Sequence, residues 1–289
     1  MNDAIVVRVP ASSANLGAGF DVLGMALDLH LDMGIGDAPG DAQSIDRHHP
    51  TARAFAALAA TPEPNPPIWV RTSIPMGRGL GFSGAARVGG AALGALMRAE
   101  DPAAALLAAR DAVLDVAVDL EGHGDNAAAS VFGGVVAWVD GRAIPLRVGP
   151  KLASASVVVW IPDLTTSTDR SRSILPDRVA RADAVHNLGR VAQFVLAIER
   201  DDPSLLAGAT DDRLHQAVRL AEVAGASEAL EAGIAAGAWC GWLSGSGPTV
   251  AFLARAITVE AVIASLPETG HVKHLHIADR GVHVLAAPE

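Results

Sequence analysis

A chain of 289 residues, half of them hydrophobic and only 4% aromatic, carries ample apolar surface to offset chain entropy. This excludes intrinsic disorder and predicts a core of Ala, Val and Leu in one large or two modest domains. The formal net charge of −10 opposes binding to a phosphate backbone, and no basic stripe interrupts it, so nucleic acid is not an expected partner.

The single cysteine, Cys240, lies in an apolar run and cannot form an intrachain disulfide, so it reads as a buried structural thiol in a reducing, cytoplasmic setting. The first ten residues, MNDAIVVRVP, lack a basic region followed by a long apolar one. No apolar stretch approaches the ~18 residues a membrane span needs.

In chain order, Ile5–Val9 predicts a strand stopped by Pro10, and Ala11–Gly19 a small polar loop. Met33–Ser44 reads as a turn or hairpin connection. Thr51–Ala60 reads as a helix ended by Pro62–Pro67, and Ile68–Ser73 as a strand. Pro75–Gly84 holds four glycines in ten residues and leads directly into the Ala-rich helix Ala85–Glu100. Pro102–Leu120 predicts a second long helix, Val135–Val139 a strand and Gly141–Pro150 a polar turn region, where the boundary between domains 1–150 and 151–289 is placed.

Val157–Trp160 opens the second half as a strand closed by Pro162. Arg178–Arg200 carries Val179, Val185, Leu188, Val191 and Val195 at helical spacing. Ala226–Ala235 predicts a helix, and Trp239–Leu243 and Thr249–Leu253 are strands flanking the loop Ser244–Pro248. Ile257–Leu266 then reads as a helix, with Val272–Ile277 and Val282–Ala286 as strands. Strands and helices intermix with hairpin-like spacings, which favours an α+β fold over a strictly parallel sheet.

The segment Pro75-Met-Gly-Arg-Gly-Leu-Gly-Phe-Ser-Gly84 bears chemistry. Glycines let backbone N–H groups converge on one point, and the helix that follows adds its unpaired N–H groups and positive dipole end. Taken alone, the loop fits phosphate binding and a plain glycine-rich turn equally well. It lacks the Gly-x-x-x-x-Gly-Lys-Ser/Thr pattern and is not a Walker loop.

Its Pro-x-x-x-Gly-Leu-Gly-x-Ser pattern resembles the phosphate loop of the GHMP kinases. Two further segments carry the same resemblance: Val9-Pro-Ala-Ser-Ser-Ala-Asn-Leu-Gly-Ala-Gly-Phe-Asp21 and Leu243-Ser-Gly-Ser-Gly-Pro-Thr249. Glu121-Gly-His-Gly-Asp-Asn126 with Phe132-Gly-Gly134 is similar to a segment of the homoserine kinase branch. The resemblance spans almost the whole chain. It implies an α+β, two-domain fold, with an N-terminal domain like the second domain of a small-subunit ribosomal protein and a ferredoxin-like C-terminal domain.

The resemblance also implies ATP as phosphoryl donor with Mg²⁺, and an amino-acid alcohol as acceptor. Pro75, Gly77, Arg78, Gly79, Leu80, Gly81, Ser83, Gly84 and Ala85 would hold the nucleotide. Glu121, by itself as readily a solvated helix end, would coordinate Mg²⁺ together with Ser83. Asn15, Asp21, His123, Thr168, Arg172 and Arg219 would bind the acceptor, with Asp125, Asn126 and Arg172 at the reacting centre. Arg172 and Arg219 sit in the segments Ser167–Arg172 and Asp212–Arg219, and two guanidinium forks suit one carboxylate. A homodimer is the family's common state.

Several positions depart from the pattern, mostly on the nucleotide side. Phe82 stands where the family has a serine, and Gly84 replaces an alanine. His48-His-Pro-Thr-Ala-Arg53 lacks an expected Asn, Ala128-Ala-Ser130 lacks a Pro, and Ala217-Val218 replace a Pro-aromatic pair. Phe82 is expected to pack away from the phosphates, because a ring over them would desolvate charge without replacing water. Homoserine is the expected acceptor; another small alcohol such as threonine or pantoate, or a binding protein without turnover, are the alternatives. His123, His215 and the pair His48–His49 do not have the spacing of a tetrahedral metal site.

Overall fold

The computed structural model describes residues 5–59 and 66–285. The four leading residues, the expected helix end at Ala60, most of the stop Pro62–Pro67 and the last residue of the strand expected over Val282–Ala286 lie outside them. The first half runs β1 (Val6–Ala14), β2 (Leu23–Ile35), β3 (Gln43–Ser44), α1 (Pro50–Leu58), β4 (Ile68–Thr72), α2 (Phe82–Leu96), α3 (Pro102–Ala108), α4 (Arg110–Glu121), α5 (Asp125–Phe132), β5 (Val135–Val139) and β6 (Arg142–Leu146). The second runs α6 (Pro150–Ala153), β7 (Ser156–Ile161), α7 (Thr168–Ser173), α8 (Arg181–Arg200), α9 (Gln216–Leu220), α10 (Ala226–Ala235), β8 (Cys240–Leu243), β9 (Val250–Ala254), α11 (Val259–Ser265), β10 (His271–His276) and β11 (His283–Val284).

The first sheet has the order β11-β1-β2-β4-β3, with β5 and β6 added where the start of β2 pairs Leu23–Met25 with Val135–Ala137. All its pairings are antiparallel. The second sheet is antiparallel in the order β10-β7-β9-β8. Numbered within that unit this is 4-1-3-2, the ferredoxin-like arrangement. Helices α10 and α11 cover one face, where Val158, Trp160, Val250 and Phe252 meet Ala226, Ala229 and Val262. The other face turns Val157, Val159, Trp242 and Leu253 into the larger core shared with β1, β2, α2 and α5. Burial on both faces explains why β7 reads as an unbroken apolar run.

The connection expected over Met33–Ser44 is shorter, because β2 runs to Ile35 and Gln43–Ser44 form β3, and four further sequence expectations change. Pro10 does not end β1: the strand continues to Ala14, with a register shift at Pro10/Ala11. A bulge asks no ladder N–H of that position, so proline is tolerated there. The expected helix Pro102–Leu120 breaks at Ala109 into α3 and α4. The polar stretch after Val139 is a hairpin. Asp140 and Gly141 both have positive φ, as a two-residue turn requires, and β6 returns with Val139 opposite Arg142.

The fourth change is in α8, which starts at Arg181 and turns Asn187, Phe194, Ala197 and Ile198 inward. Val185 and Leu188 of the expected apolar stripe are 61% and 71% exposed. Asn187 faces inward because its amide has partners there: Nδ2 donates to the Ala18 carbonyl (3.2 Å) and to Asp212 Oδ1 (2.6 Å). Cys240 is buried as expected, and burial pushes its thiol up to about 12.

Candidate active site

The loop between β4 and α2 turns on Gly77, Gly79 and Gly81, all with positive φ. A Cβ at Gly79 would lie 2.4 Å from the Ser244 carbonyl oxygen, and one at Gly81 2.0 Å from Ser12 Oγ, so close approach and not only the turn demands glycine. Three successive carbonyls are held from behind. Thr249 Oγ1 donates to Arg78 (2.6 Å), Ser244 Oγ to Gly79 (2.6 Å) and the Ser12 amide to Leu80 (3.3 Å). Helix α2 starts at Phe82, so its first-turn N–H groups have no intrahelical acceptors. An anion at this point meets amides and a positive helix end.

The loop Ser244–Thr249 is in turn fixed to the first segment. Asn15 Nδ2 donates to Gly245 O (2.8 Å), the Gly245 amide to Ala14 O (3.1 Å), and Ser13 Oγ lies 2.7 Å from Ser244 Oγ. Thr166 Oγ1 donates to Gly247 O (2.6 Å). Thus the three motifs, far apart in sequence, form one hydrogen-bonded wall.

Two guanidinium groups line the cleft beside this wall. Arg172 on α7 is bidentate to Asp21, with Nη1–Oδ2 at 2.9 Å and Nη2–Oδ1 at 2.6 Å. Arg219 on α9 is 4% exposed. It donates to the carbonyls of Ser171 (Nε, 3.1 Å) and Gly245 (Nη1, 3.4 Å) and to His215 Nδ1 (3.2 Å). No carboxylate of the described residues pairs with it. Burial first, and then the charge of Arg172, lower its pKa to about 10.

Phe20 packs between these cations. Its ring centroid is 5.6 Å from the Arg172 guanidinium carbon and 5.2 Å from that of Arg219, and it stacks on the His215 ring at 4.9 Å. His215 is neutral here. Its Nε2 donates to the Gly17 carbonyl (2.9 Å), which leaves Nδ1 to accept from Arg219, and burial lowers its pKa. Asp212 holds the start of α9 by accepting from the amides of Leu214, His215 and Gln216.

At the third corner Asp125 is buried at the start of α5 and accepts from the Asn126 amide (2.8 Å). His123 Nδ1 lies 3.3 Å from Asp125 Oδ1, and Ser12 Oγ donates to Asn126 Oδ1 (2.8 Å). Ser83 Oγ donates to Glu121 Oε2 (3.1 Å), so the pair expected to hold a divalent ion is brought together. Arg87 Nη1, one turn along α2, donates to both Ser83 Oγ and Glu121 Oε2. A carboxylate already joined to a guanidinium is not an open ligand, so as it stands this pair does not fit an ion. Among the described residues no group of three or more His, Cys, Asp or Glu is arranged to hold a metal.

Most of these groups open on one cleft, whereas Ser12, Arg87, Asp212 and His215 are not part of its lining. It is lined by Asn15, Asp21, Pro75, Gly77, Arg78, Gly79, Leu80, Gly81, Ser83, Glu121, His123, Asp125, Asn126, Thr168, Arg172 and Arg219. Gly84 and Ala85 are buried one step inside α2 and do not line it. Phe82 is half-buried at the cleft and meets His49 edge-on, with centroids 6.0 Å apart. Sequence reading assigned no role to Phe20, Arg87 or Asn187, and weighed His215 only as a metal ligand. Arg87 had a usable signal, four residues after Ser83 on a predicted helix.

The profile of the GHMP kinases N terminal domain matches residues 50–134, and that of the GHMP kinases C terminal domain residues 194–272. The chain belongs to the GHMP kinases. A homoserine kinase of Thermus thermophilus is 38% identical over 89% of this GHMP kinase and 89% of its own length. One from Cutibacterium acnes is 37% identical over 98% and 99%. The crystal structure of homoserine kinase from Cytophaga hutchinsonii superimposes with a TM-score of 0.81, covering 99% and 98% of the two chains at 23% identity, which establishes the shared fold. This GHMP kinase is therefore a small-molecule kinase. None of its described helices is long and apolar enough to cross a membrane.

Proposed function

We propose that the chain transfers the γ-phosphoryl group of ATP to the side-chain hydroxyl of L-homoserine, giving O-phospho-L-homoserine for threonine biosynthesis. The observation that carries this reading is Arg219, a buried cation without a carboxylate partner, beside Arg172. Such a group is costly to bury unless an anion completes it. The α-carboxylate of a small amino acid, taken by Arg219 and reached by Arg172 once Asp21 turns from it to the substrate ammonium, supplies that charge. Asp21 and Asp125 then face the substrate ammonium, and Asn15, His123 and Thr168 fill the remaining contacts around the acceptor.

The donor's phosphates lie against the Gly77–Gly81 amides and the start of α2. The acceptor hydroxyl points from the clamp towards them, near Asp125 and Asn126. Positioning and charge neutralisation supply most of the rate of such a transfer, so a strong base is not required. Charge neutralisation by Mg²⁺ would have to come with the nucleotide, because Glu121 is held by Arg87 and is not free to ligate it. Two domains, 1–150 and 151–289, bracket the cleft in this reading, with β11 crossing back to the first sheet.

The test is ADP release with L-homoserine, L-threonine and D-pantoate, with the product mass recorded. Turnover on homoserine at least tenfold above the others in kcat/KM is expected. Preference for pantoate, which has no ammonium group, would overturn the assignment of Asp21 and Asp125. Nucleotide binding without turnover on any acceptor would leave a binding protein.

A further inference from the structure

We propose that Arg87 is a built-in counter-cation, its guanidinium filling the position between Ser83 and Glu121 where the motif pattern puts a divalent ion, so that Glu121 is not a metal ligand in this chain. The proposal rests on the kinase reading for its importance to catalysis, but its geometry and its test do not need turnover.

The placement follows from helix geometry. Ser83 and Arg87 are four residues apart on α2 and therefore share a face. Glu121 closes α4, and Gly122 in the left-handed conformation ends that helix directly after it. Because α4 packs on α2, the carboxylate hangs over the first turn of α2, where the Arg87 fork reaches it. The side chains of Glu121 and Arg87 are only 10% and 20% exposed. The Ser83 hydroxyl is engaged in both directions, accepting from Arg87 and donating to Glu121. The C-terminal end of α4 adds negative potential, which any cation there would share.

An ion on Ser83 Oγ and Glu121 Oε2 would need the space that Arg87 Nη1 holds. A guanidinium cannot lose its proton to make room, as a lysine or histidine can. Burial first, and then the charge of Arg53, hold Arg87 below its ordinary pKa. The same two oxygens thus have a resident cation of fixed charge, supplied by the chain.

The experiment measures Mn²⁺ binding to the nucleotide-free protein by electron paramagnetic resonance, for the parent, Glu121→Gln, Arg87→Met, Arg87→Lys and the double variant Arg87→Met/Glu121→Gln. Methionine removes the charge without offering an oxygen ligand. Parent and Glu121→Gln are expected to bind Mn²⁺ equally within twofold. Arg87→Met is expected to bind at least tenfold tighter, a gain lost in the double variant and absent in Arg87→Lys. A tenfold loss on Glu121→Gln in the parent would overturn the proposal, because Glu121 would then hold metal alongside Arg87. Absence of a gain in a folded Arg87→Met would overturn it too. The parent and Glu121→Gln comparison decides the matter even where Arg87→Met does not fold. Failure of the kinase reading shows separately, as absence of ADP release with these Mn²⁺ results intact.

Discussion

The buried guanidinium of Arg219 donates to a histidine, His215 Nδ1, at 3.2 Å. The acceptor is a neutral ring, so the positive charge beneath the cleft is oriented but not cancelled. Arg172, by contrast, is matched by Asp21. Of the two clamp arginines, Arg219 therefore has the greater need of a substrate anion.

Arg219→Ala should raise the KM for homoserine about 30-fold or more, since losing one partner of a buried charged pair costs roughly 2–4 kcal/mol. The KM for ATP should change less than about threefold, well under 1.4 kcal/mol. Arg172→Ala should act in the same direction. Steady-state kinetics with each substrate varied in turn checks this, and equal effects on both substrates would dissolve the clamp.

Because His215 is buried neutral, the unfolded chain takes up this proton first, near pH 6.5, and the folded chain only at a lower pH. Stability should therefore fall as pH drops below about 6.5, by at most about 1.4 kcal/mol per pH unit for each such histidine. His49, lowered chiefly by burial, adds to the same slope. His215→Gln, whose amide can donate to Gly17 and accept from Arg219, should flatten it. Urea unfolding between pH 5.5 and 7.5 measures both profiles, and parallel curves would remove His215 from the account.

Phe82 meets His49 at the cleft edge and is already half-buried. Phe82→Ser should shift ATP affinity by no more than about tenfold, roughly 1.4 kcal/mol. Nucleotide titration of the two proteins decides it. A parent that binds no nucleotide, with binding restored in the serine variant, would make the ring an occluder.

Gly79→Ala combines a φ of +73° with a Cβ 2.4 Å from a carbonyl oxygen. It should destabilise by more than about 2 kcal/mol and weaken ATP binding, because the loop has to part from Ser244. Gly189→Ala is the matched control. It lies within α8 with nothing within 4 Å of the new Cβ, and should be neutral or stabilising by up to about 1 kcal/mol. Denaturant melts of both variants separate loop geometry from a general sensitivity to replacing glycine.

What was legible in the sequence was what local pattern controls. Ala226–Ala235 is a helix to the residue, and the glycine loops stand where their spacing put them. Strand β2 carries mixed signals: Leu and Met favour helices, but Leu27-Asp-Leu-His-Leu-Asp-Met33 alternates apolar and polar residues with a strand's period, and β1, β4 and β5 pair with it. The inward face of α8 was misread because Asn187 is polar and its partners are at Ala18 and Asp212. His215 acquires its role from Gly17, which no window on the sequence brings near it, and Arg87, placed beside Ser83 by helical spacing, acquires its carboxylate partner only when Glu121 packs over α2.

Strand β11 lies on the outer edge of β1, with Val7 opposite Val284 and the Leu285 amide donating to Val6 O (2.8 Å). The edge of β1 at Val7 and Arg8 is thus closed by a segment distant in sequence, and until β11 docks these backbone groups stay open to a foreign strand. Docking of β11 therefore guards the first sheet against edge pairing between copies of the protein.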